Sequence, residues 1–294
     1  MPLNKSTQLK KLLTQQQSLD FLMEAHNGLS SKIVESNGFK GIWASGLSIS
    51  TSLGLRDCNE ASWTQVLDIL EYMSDSVSIP IIMDGDSGYG NFNNVRRLVK
   101  KLEQRNISGV CIEDKQFPKQ NSFISDDQKL STVSEFCGKI KAAKDTQLDV
   151  NFCVVARVEA LICGFSPEIA SQRAIAYYEA GADAILIHSK KTDADEILAF
   201  KALCPPEIPL VLVPTKYYKT PTKVFRDLQI STIIWANHNL RACFKAMEEV
   251  TFHLKQSESL IDIEDNITSL SSLFDLLNYD ELLIAEKKYL EDIR

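Results

Sequence analysis

Carboxylates stand where apolar runs end in this chain. Asp84 and Asp86 lie in DGDSGYGN (84–91), Glu113 and Asp114 open EDKQFPKQNS (113–122), and Arg157 and Glu159 close the run before them. Asp57 sits in the polar stretch LRDCNE (55–60). Brought to one place, so many acids repel one another unless a cation holds them ionised. A hard divalent ion such as Mg²⁺ meets that need, because it takes oxygen ligands, keeps several waters and leaves positions for an anionic substrate. The expected metal shell has Asp84 nearest the ion and Asp57, Asp86 and Glu113 around it, partly through water. Alternatively, Asp84-Gly85 and Asp86-Ser87 are plain turn formers. Arg157 follows the apolar Cys153-Val154-Val155-Ala156. Its planar fork suits a carboxylate or phosphoryl group, or else an internal pair with Glu159 or Glu113. Ser45 and Gly46 supply a hydroxyl and backbone donors for a second anionic group. His26, His188 and His238 also end runs; His188 is a candidate substrate contact, and each can equally be a hydrogen-bonded structural histidine.

These residues meet only if the runs they end all point the same way. Eight short runs rich in Ile, Val, Leu and aromatics fall at 21–24, 41–44, 79–83, 109–112, 152–156, 182–187, 209–213 and 231–235. A polar turn and a helix-period segment follow each. Several are entered through short turns of small residues, such as Asn106-Ile107-Ser108-Gly109 and Ala180-Gly181-Ala182-Asp183. Continuous apolar strands alternating with helices predict a parallel sheet covered on its faces, and eight units in about 220 residues match a closed (β/α)8 barrel of TIM type. An open doubly wound sheet fits less well, since no Gly-x-Gly-x-x-Gly follows the first run. Reacting groups in such barrels collect at the C-terminal ends of the strands, where the acids, Arg157 and His188 stand. A segment at 6–17, with Leu9, Leu12 and Leu13 at helical spacing, is expected to lid the opposite end. The chain reads as one barrel domain: an N-terminal helix within 1–19, the core in 20–240 and a helical extension in 241–294. The extension's segments 243–254, 267–277 and 280–290 carry Leu and Ile stripes that call for a partner, expected to be an oligomer contact.

The net charge of −7 is spread without blocks of one sign, which argues against a nucleic-acid or anionic-membrane surface and leaves any bound anion to local charges. The cysteines number seven, with no Cys-x-x-Cys and no Cys/His cluster, as expected of reduced thiols in a cytoplasmic protein. No apolar run approaches the roughly 18 residues of a membrane span. The chain has no Gly-x-x-x-x-Gly-Lys-Ser/Thr loop, no His-Glu-x-x-His and no Gly-x-Ser-x-Gly, so nucleotide hydrolysis, zinc peptidase and serine hydrolase chemistries fall away.

Met23-Glu24-Ala25-His26-Asn27-Gly28, Gly41-Ile42-Trp43-Ala44-Ser45-Gly46, the run 84–91 and above all EDKQFPKQNS carry a resemblance to the phosphoenolpyruvate mutases of the isocitrate lyase/phosphoenolpyruvate mutase superfamily. The last fits the pattern Glu-Asp-Lys, five residues, Asn-Ser. Lyases of the superfamily carry Lys-Lys-Cys-Gly-His in that loop, where this chain reads Lys119-Gln120-Asn121-Ser122, and phosphonopyruvate hydrolase is expected to lack the Asn. The resemblance implies interconversion of phosphoenolpyruvate and phosphonopyruvate with Mg²⁺, for which Mn²⁺ or Co²⁺ can substitute. It implies that the residues after Glu113 form a gate bringing Lys119, Asn121 and Ser122 to the phosphoryl group, with Asp57 beside them. Arg157, Ser45 and the Gly46 and Leu47 amides would hold anionic oxygens, and Trp43 would wall the pocket. Lys115 and Asp114 are either loop hinge or substrate contact. It also implies a homodimer or homotetramer with the last barrel helix exchanged between subunits.

Overall fold

The eight apolar runs pair in sequence order, each parallel to the next, and the last returns to the first to close a barrel, in a computed structural model that describes residues 3–122 and 128–290. The strands are β1 (Asp20–Ala25), β2 (Ile42–Ala44), β3 (Ile81–Asp84), β4 (Gly109–Glu113), β5 (Cys153–Val158), β6 (Ala184–Ile187), β7 (Leu210–Leu212) and β8 (Thr232–Trp235). The helices are α1 (Lys5–Thr14), α2 (Gly28–Ser36), α3 (Gly46–Ser52), α4 (Trp63–Ser76), α5 (Phe92–Glu103), α6 (Val133–Thr146), α7 (Pro167–Glu179), α8 (Asp195–Leu203), α9 (Thr222–Asp227), α10 (His238–Ser257), α11 (Leu270–Leu276) and α12 (Tyr279–Tyr289). The short α3, directly after β2, is the element that strand-and-helix patterning does not foresee.

Alternation along the strands splits the core in two. Leu22, Trp43, Ile82, Cys111, Val155, Leu186, Val211 and Ile234 point into the barrel, while neighbours such as Met83, Val110, Ile112, Val154, Ile185 and Ile233 pack under the helices. The inner row continues upward with the same period. Two residues beyond Trp43, Ile82, Cys111, Val155 and Leu186 stand Ser45, Asp84, Glu113, Arg157 and His188. Asp114 is out of phase with that row, which turns its side chain outward.

Leu9, Leu12 and Leu13 of α1 join the inner cluster and plug the end opposite those polar residues, as the helical spacing predicts. Asn4 caps the helix by accepting the Thr7 N–H at 2.7 Å, and Gln15 turns extended, so the helix stops short of the expected residue 17. The plug sits close: a Cβ on Gly109 would lie 2.9 Å from Leu9 Cδ2, and one on Gly41 would lie 3.1 Å from Leu12 Cδ1. Thr232 Oγ1 ties it down by donating to Leu12 O at 2.6 Å.

The chain divides into two compact units, Met1–Leu240 and Arg241–Arg294. In the second, large apolar side chains including Phe244, Phe252, Leu270 and Ile284 are exposed. No described helix is long and apolar enough to cross a membrane, and all seven cysteines are free thiols.

Leu9 is fully buried, so Leu9→Ala is expected to cost about 2–5 kcal/mol of unfolding free energy through lost transfer energy and the cavity left behind. Denaturant unfolding measures it, and a loss under about 1 kcal/mol would show that α1 is not part of the core.

Candidate active site

The site is the upward continuation of the barrel's inner row. Asp84 ends β3, and the chain then turns sharply: Asp86, Gly88, Tyr89 and Gly90 have φ of 49°, 84°, 56° and 141°. Asp tolerates the left-handed region better than most residues, so Asp86 does serve the turn. Its carboxylate, however, is buried with that of Asp84. A Cβ on Gly46 would lie 3.2 Å from Asp84 Oδ2 and 3.3 Å from Asp86 Oδ1, so both acids face one glycine. The Gly46 N–H donates to Asp84 Oδ2 at 3.2 Å, which gives that amide to a protein carboxylate rather than to an anionic substrate. Ser45 caps α3, its Oγ accepting the Ser48 N–H at 3.3 Å. Lys139 of α6, buried, supports the turn from behind by donating to Ser87 O at 3.0 Å.

The segment after β4 folds over these acids. Its neck is an antiparallel bridge between Lys115 and Leu130. Lys119 Nζ reaches Asp57 Oδ1 at 2.8 Å and Asp86 Oδ1 at 2.5 Å. Asn121 Nδ2 donates to Asp57 Oδ2 at 2.6 Å. Asn59 makes a second clasp, accepting the Lys119 N–H at 2.8 Å and donating to Asp86 Oδ2 at 2.7 Å. On the other side Ser122 Oγ donates to Glu159 Oε2 at 2.8 Å and accepts from Lys115 Nζ at 2.7 Å and Arg157 Nη2 at 3.0 Å. Residues 123–127 of the expected gate lie outside the described residues.

Glu159 is the hub beneath Ser122. It is fully buried and lies 2.5 Å from Arg157 Nε, 2.7 Å from Lys115 Nζ and 2.6 Å from His188 Nε2. Burial alone would raise its carboxyl, but Arg157, His188 and Lys115 hold it well below the ordinary carboxylate range. Asp57 is likewise held low against burial by Lys119 and Asn121. Asp86 and Glu113 go the other way. Burial and the charges of Asp84, Asp57 and Glu113 push Asp86 up to about 7 despite Lys119, and burial raises Glu113.

The donor set fits a divalent cation. Five carboxylates (Asp57, Asp84, Asp86, Glu113, Glu159) against three cations (Lys115, Lys119, Arg157) leave two negative charges uncompensated. Glu113 Oε1 is buried, accepts no hydrogen bond and lies 3.7 Å from Lys115 Nζ. Among the described residues no three His, Cys, Asp or Glu side chains close into a ready cage, so the protein alone does not complete a coordination sphere. Mg²⁺ is suited to such a partial site because it retains waters.

Trp43, Ser45, Leu47, Asp57, Asp84, Lys119, Asn121, Ser122, Arg157 and His188 line a cavity of about 70 Å³. Gly46, Asp86 and Glu113 stand behind that wall, joined to it through Asp84, Lys119 and Arg157, the last with Nε 3.4 Å from Glu113 Oε2. The internal Arg157 pairs are real, yet the guanidinium still faces the cavity. Lys115 lines the cavity, whereas Asp114 points away and its main chain helps form the neck. His26 is structural, its Nδ1 lying 2.6 Å from the buried Glu24; His238 packs edge-on against Trp235. In sequence Glu159 is only an alternative partner for Arg157, although its place two residues further along the inner row signals its role. Asn59 has no signal in the sequence, because its reach depends on a left-handed φ of 61°.

Residues 9–255 match the family described as phosphoenolpyruvate phosphomutase. The chain is 56% identical to the phosphoenolpyruvate phosphomutase of Tetrahymena pyriformis over 97% of its own length and 95% of that protein. It resembles the crystal structure of a phosphoenolpyruvate phosphomutase from Streptomyces platensis subsp. rosaceus with a TM-score of 0.94 at 40% identity, covering 98% of this chain and 100% of that one. A phosphonopyruvate hydrolase in complex with oxalate and Mg²⁺ follows at 0.92 and 37%, with the same coverage. On the family match and the extent of these identities, the chain belongs to the phosphoenolpyruvate phosphomutase family.

Proposed function

We propose that the protein interconverts phosphoenolpyruvate and phosphonopyruvate, moving a phosphoryl group between the enolate oxygen and the methylene carbon of one molecule. The observation that carries this is the segment 115–122, whose Lys119, Asn121 and Ser122 reach down and bond the acids of the barrel mouth. The rearrangement breaks a P–O bond and forms a P–C bond with no atom gained, so water is a competitor rather than a reactant. Phosphoryl transfer through a loose transition state needs positioning and charge more than a nucleophile. Lys119 and Arg157 supply charge, Asn121 supplies a donor, and Ser122, whose hydroxyl donates to Glu159, fixes the segment beside Arg157. Asp57 aims Lys119 and Asn121 at the cavity, since both of its oxygens are engaged by them. Ser45, Leu47, Trp43 and His188 shape the wall that holds the pyruvate portion. A Mg²⁺ ion held by Asp84 with Asp57, Asp86 and Glu113 around it, or Mn²⁺ or Co²⁺ in its place, would supply positive charge for the enolate and phosphoryl oxygens.

Asn121 favours mutase over hydrolase, since its bond to Asp57 helps shut the cavity against water. The exposed apolar helices of the C-terminal unit support a homodimer or homotetramer with helices exchanged between subunits, and the free thiols support a cytoplasmic setting.

A phosphorus NMR time course with phosphonopyruvate and Mg²⁺ is expected to show phosphoenolpyruvate, and EDTA to stop its appearance. Inorganic phosphate instead would assign the hydrolase activity, and no metal-dependent change would leave only binding. Asn121→Ala is expected to slow turnover by about 100-fold, the scale of losing one donor to developing charge, while calorimetry finds Mg²⁺ affinity within about twofold. Undiminished turnover would remove the gate from the mechanism. Metal binding should also depend on pH. The folded, metal-free protein keeps a proton on Asp86 below about pH 7, and a metal must displace it. Mg²⁺ affinity measured by calorimetry is therefore expected to fall by up to about tenfold per pH unit below that point and to level off above it. Asp86→Asn should flatten this dependence; an unchanged profile would assign the titration elsewhere.

A further inference from the structure

Asp114 faces away from the cavity, yet it is fully buried and bonded on every side. Its Oδ1 accepts the Glu159 N–H at 2.9 Å. Its Oδ2 accepts from Tyr177 Oη at 2.7 Å and Arg173 Nη1 at 2.9 Å, both on α7. Its main-chain N–H donates to Arg157 O at 3.2 Å, and its carbonyl accepts the Ser131 N–H at 2.8 Å. Arg173 Nη1 also donates to Ser131 O at 3.2 Å. One residue thus joins three parts: the end of β5 with Arg157 and Glu159, the rigid helix α7, and both sides of the neck from which the segment 115–122 departs.

A neck this heavily bonded is more than a chain reversal requires. The segment carries Lys119, Asn121 and Ser122 on its far side, so a small rotation at the neck is magnified where those side chains meet Asp57 and Glu159. We propose that Asp114, Arg173 and Tyr177 form a mount that positions the closed segment over the reacting group, and so determines whether the phosphoryl group passes to carbon or oxygen of the same molecule or to water. This rests on the activity proposed above. None of the three need touch substrate; they are positioning residues, acting through Ser131, Glu159 and Arg157. When the seal is imperfect, water attacks phosphorus, the P–C bond of phosphonopyruvate breaks, the electron pair passes to the pyruvate enolate, and protonation of that carbon gives pyruvate and inorganic phosphate. No further reagent is needed.

Tyr177→Phe removes one donor to Asp114 while keeping the ring, which packs edge-on against Phe136 at 4.6 Å between centroids. With phosphonopyruvate and Mg²⁺, the wild-type protein is expected to give phosphoenolpyruvate, and Tyr177→Phe to raise the ratio of inorganic phosphate to phosphoenolpyruvate by about fivefold, the scale of one hydrogen bond. Arg173→Gln should shift the ratio the same way. Hydrogen exchange of the neck amides at 114–116 and 130–131 should quicken in both variants. A wild-type product ratio retained in both variants, even with lowered thermal stability, would reduce the cluster to packing and overturn the mount. A wild-type protein that forms no phosphoenolpyruvate would overturn the activity and the mount together. Tyr177→Phe decides even where Arg173→Gln fails to fold, because it removes a single hydroxyl and leaves the ring in its packing against Phe136.

Discussion

Asp57, Asp84, Asp86, Glu113 and Glu159 crowd one barrel mouth with Lys115, Lys119 and Arg157, and like charges this dense remain in a folded chain only where opposite charge is fixed within reach. The acids divide accordingly. Glu159 and Asp57 have their cations and are held ionised below the usual range, while Asp86 and Glu113 are raised by burial faster than their partners compensate. Both behaviours occur within one network, and Lys119 lies as near Asp86 as Asp57, so the other neighbours make the difference: Asp84, Asp57 and Glu113 crowd Asp86, whereas Asn121 donates to Asp57 and Arg157, His188 and Lys115 surround Glu159. The two raised acids are where further positive charge gains most.

Such a network is a poor source of stability. Removing ions from water costs several kcal/mol each, and pairing returns that only with good geometry and satisfied oxygens. The scaffold supplies the balance. The barrel holds one apolar layer inside its strands and another beneath its helices, and α1 seals the inner layer at the far end. Stability and chemistry therefore occupy opposite ends of the same strands. The inward row that is Ile82, Cys111, Val155 and Leu186 in the middle of the barrel becomes Asp84, Glu113, Arg157 and His188 at the mouth, so the rigidity that packs the core also fixes the charged groups.

That continuity explains why much of the molecule is legible in its sequence. Eight apolar runs give the barrel, Leu9, Leu12 and Leu13 give the plug, and counting by twos from buried strand residues reaches Asp84, Asp86, Glu113, Arg157 and Glu159, while Asp57 lies on a loop outside that count. What resists reading depends on contacts between segments far apart in the chain. Asn59 reaches Asp86 and Lys119 from a loop with left-handed backbone, and Gly46, which looks like an anion donor, bonds Asp84 instead. Asp114 reads in sequence as either loop hinge or substrate contact, and the one-residue shift that flips a strand side chain to the other face sends it toward α7. Neighbours in sequence thus belong to different machinery because a strand has two faces.

The polar character of EDKQFPKQNS follows from the same physics. An apolar lid would exclude water but bring no charge to a phosphoryl group, and fixed cations on the barrel alone would leave water free to enter. Carrying Lys119, Asn121 and Ser122 on the proposed lid itself would join the two requirements, because a movement that excluded water would also deliver the charge and lower the local dielectric in which that charge acts. The segment is in turn held over the mouth by the site's own acids, Asp57 and Asp86 through Lys119 and Glu159 through Ser122. The acids that create the repulsion at the mouth are thus the ones that latch it, and a lid lacking cations would find at this mouth nothing to close upon.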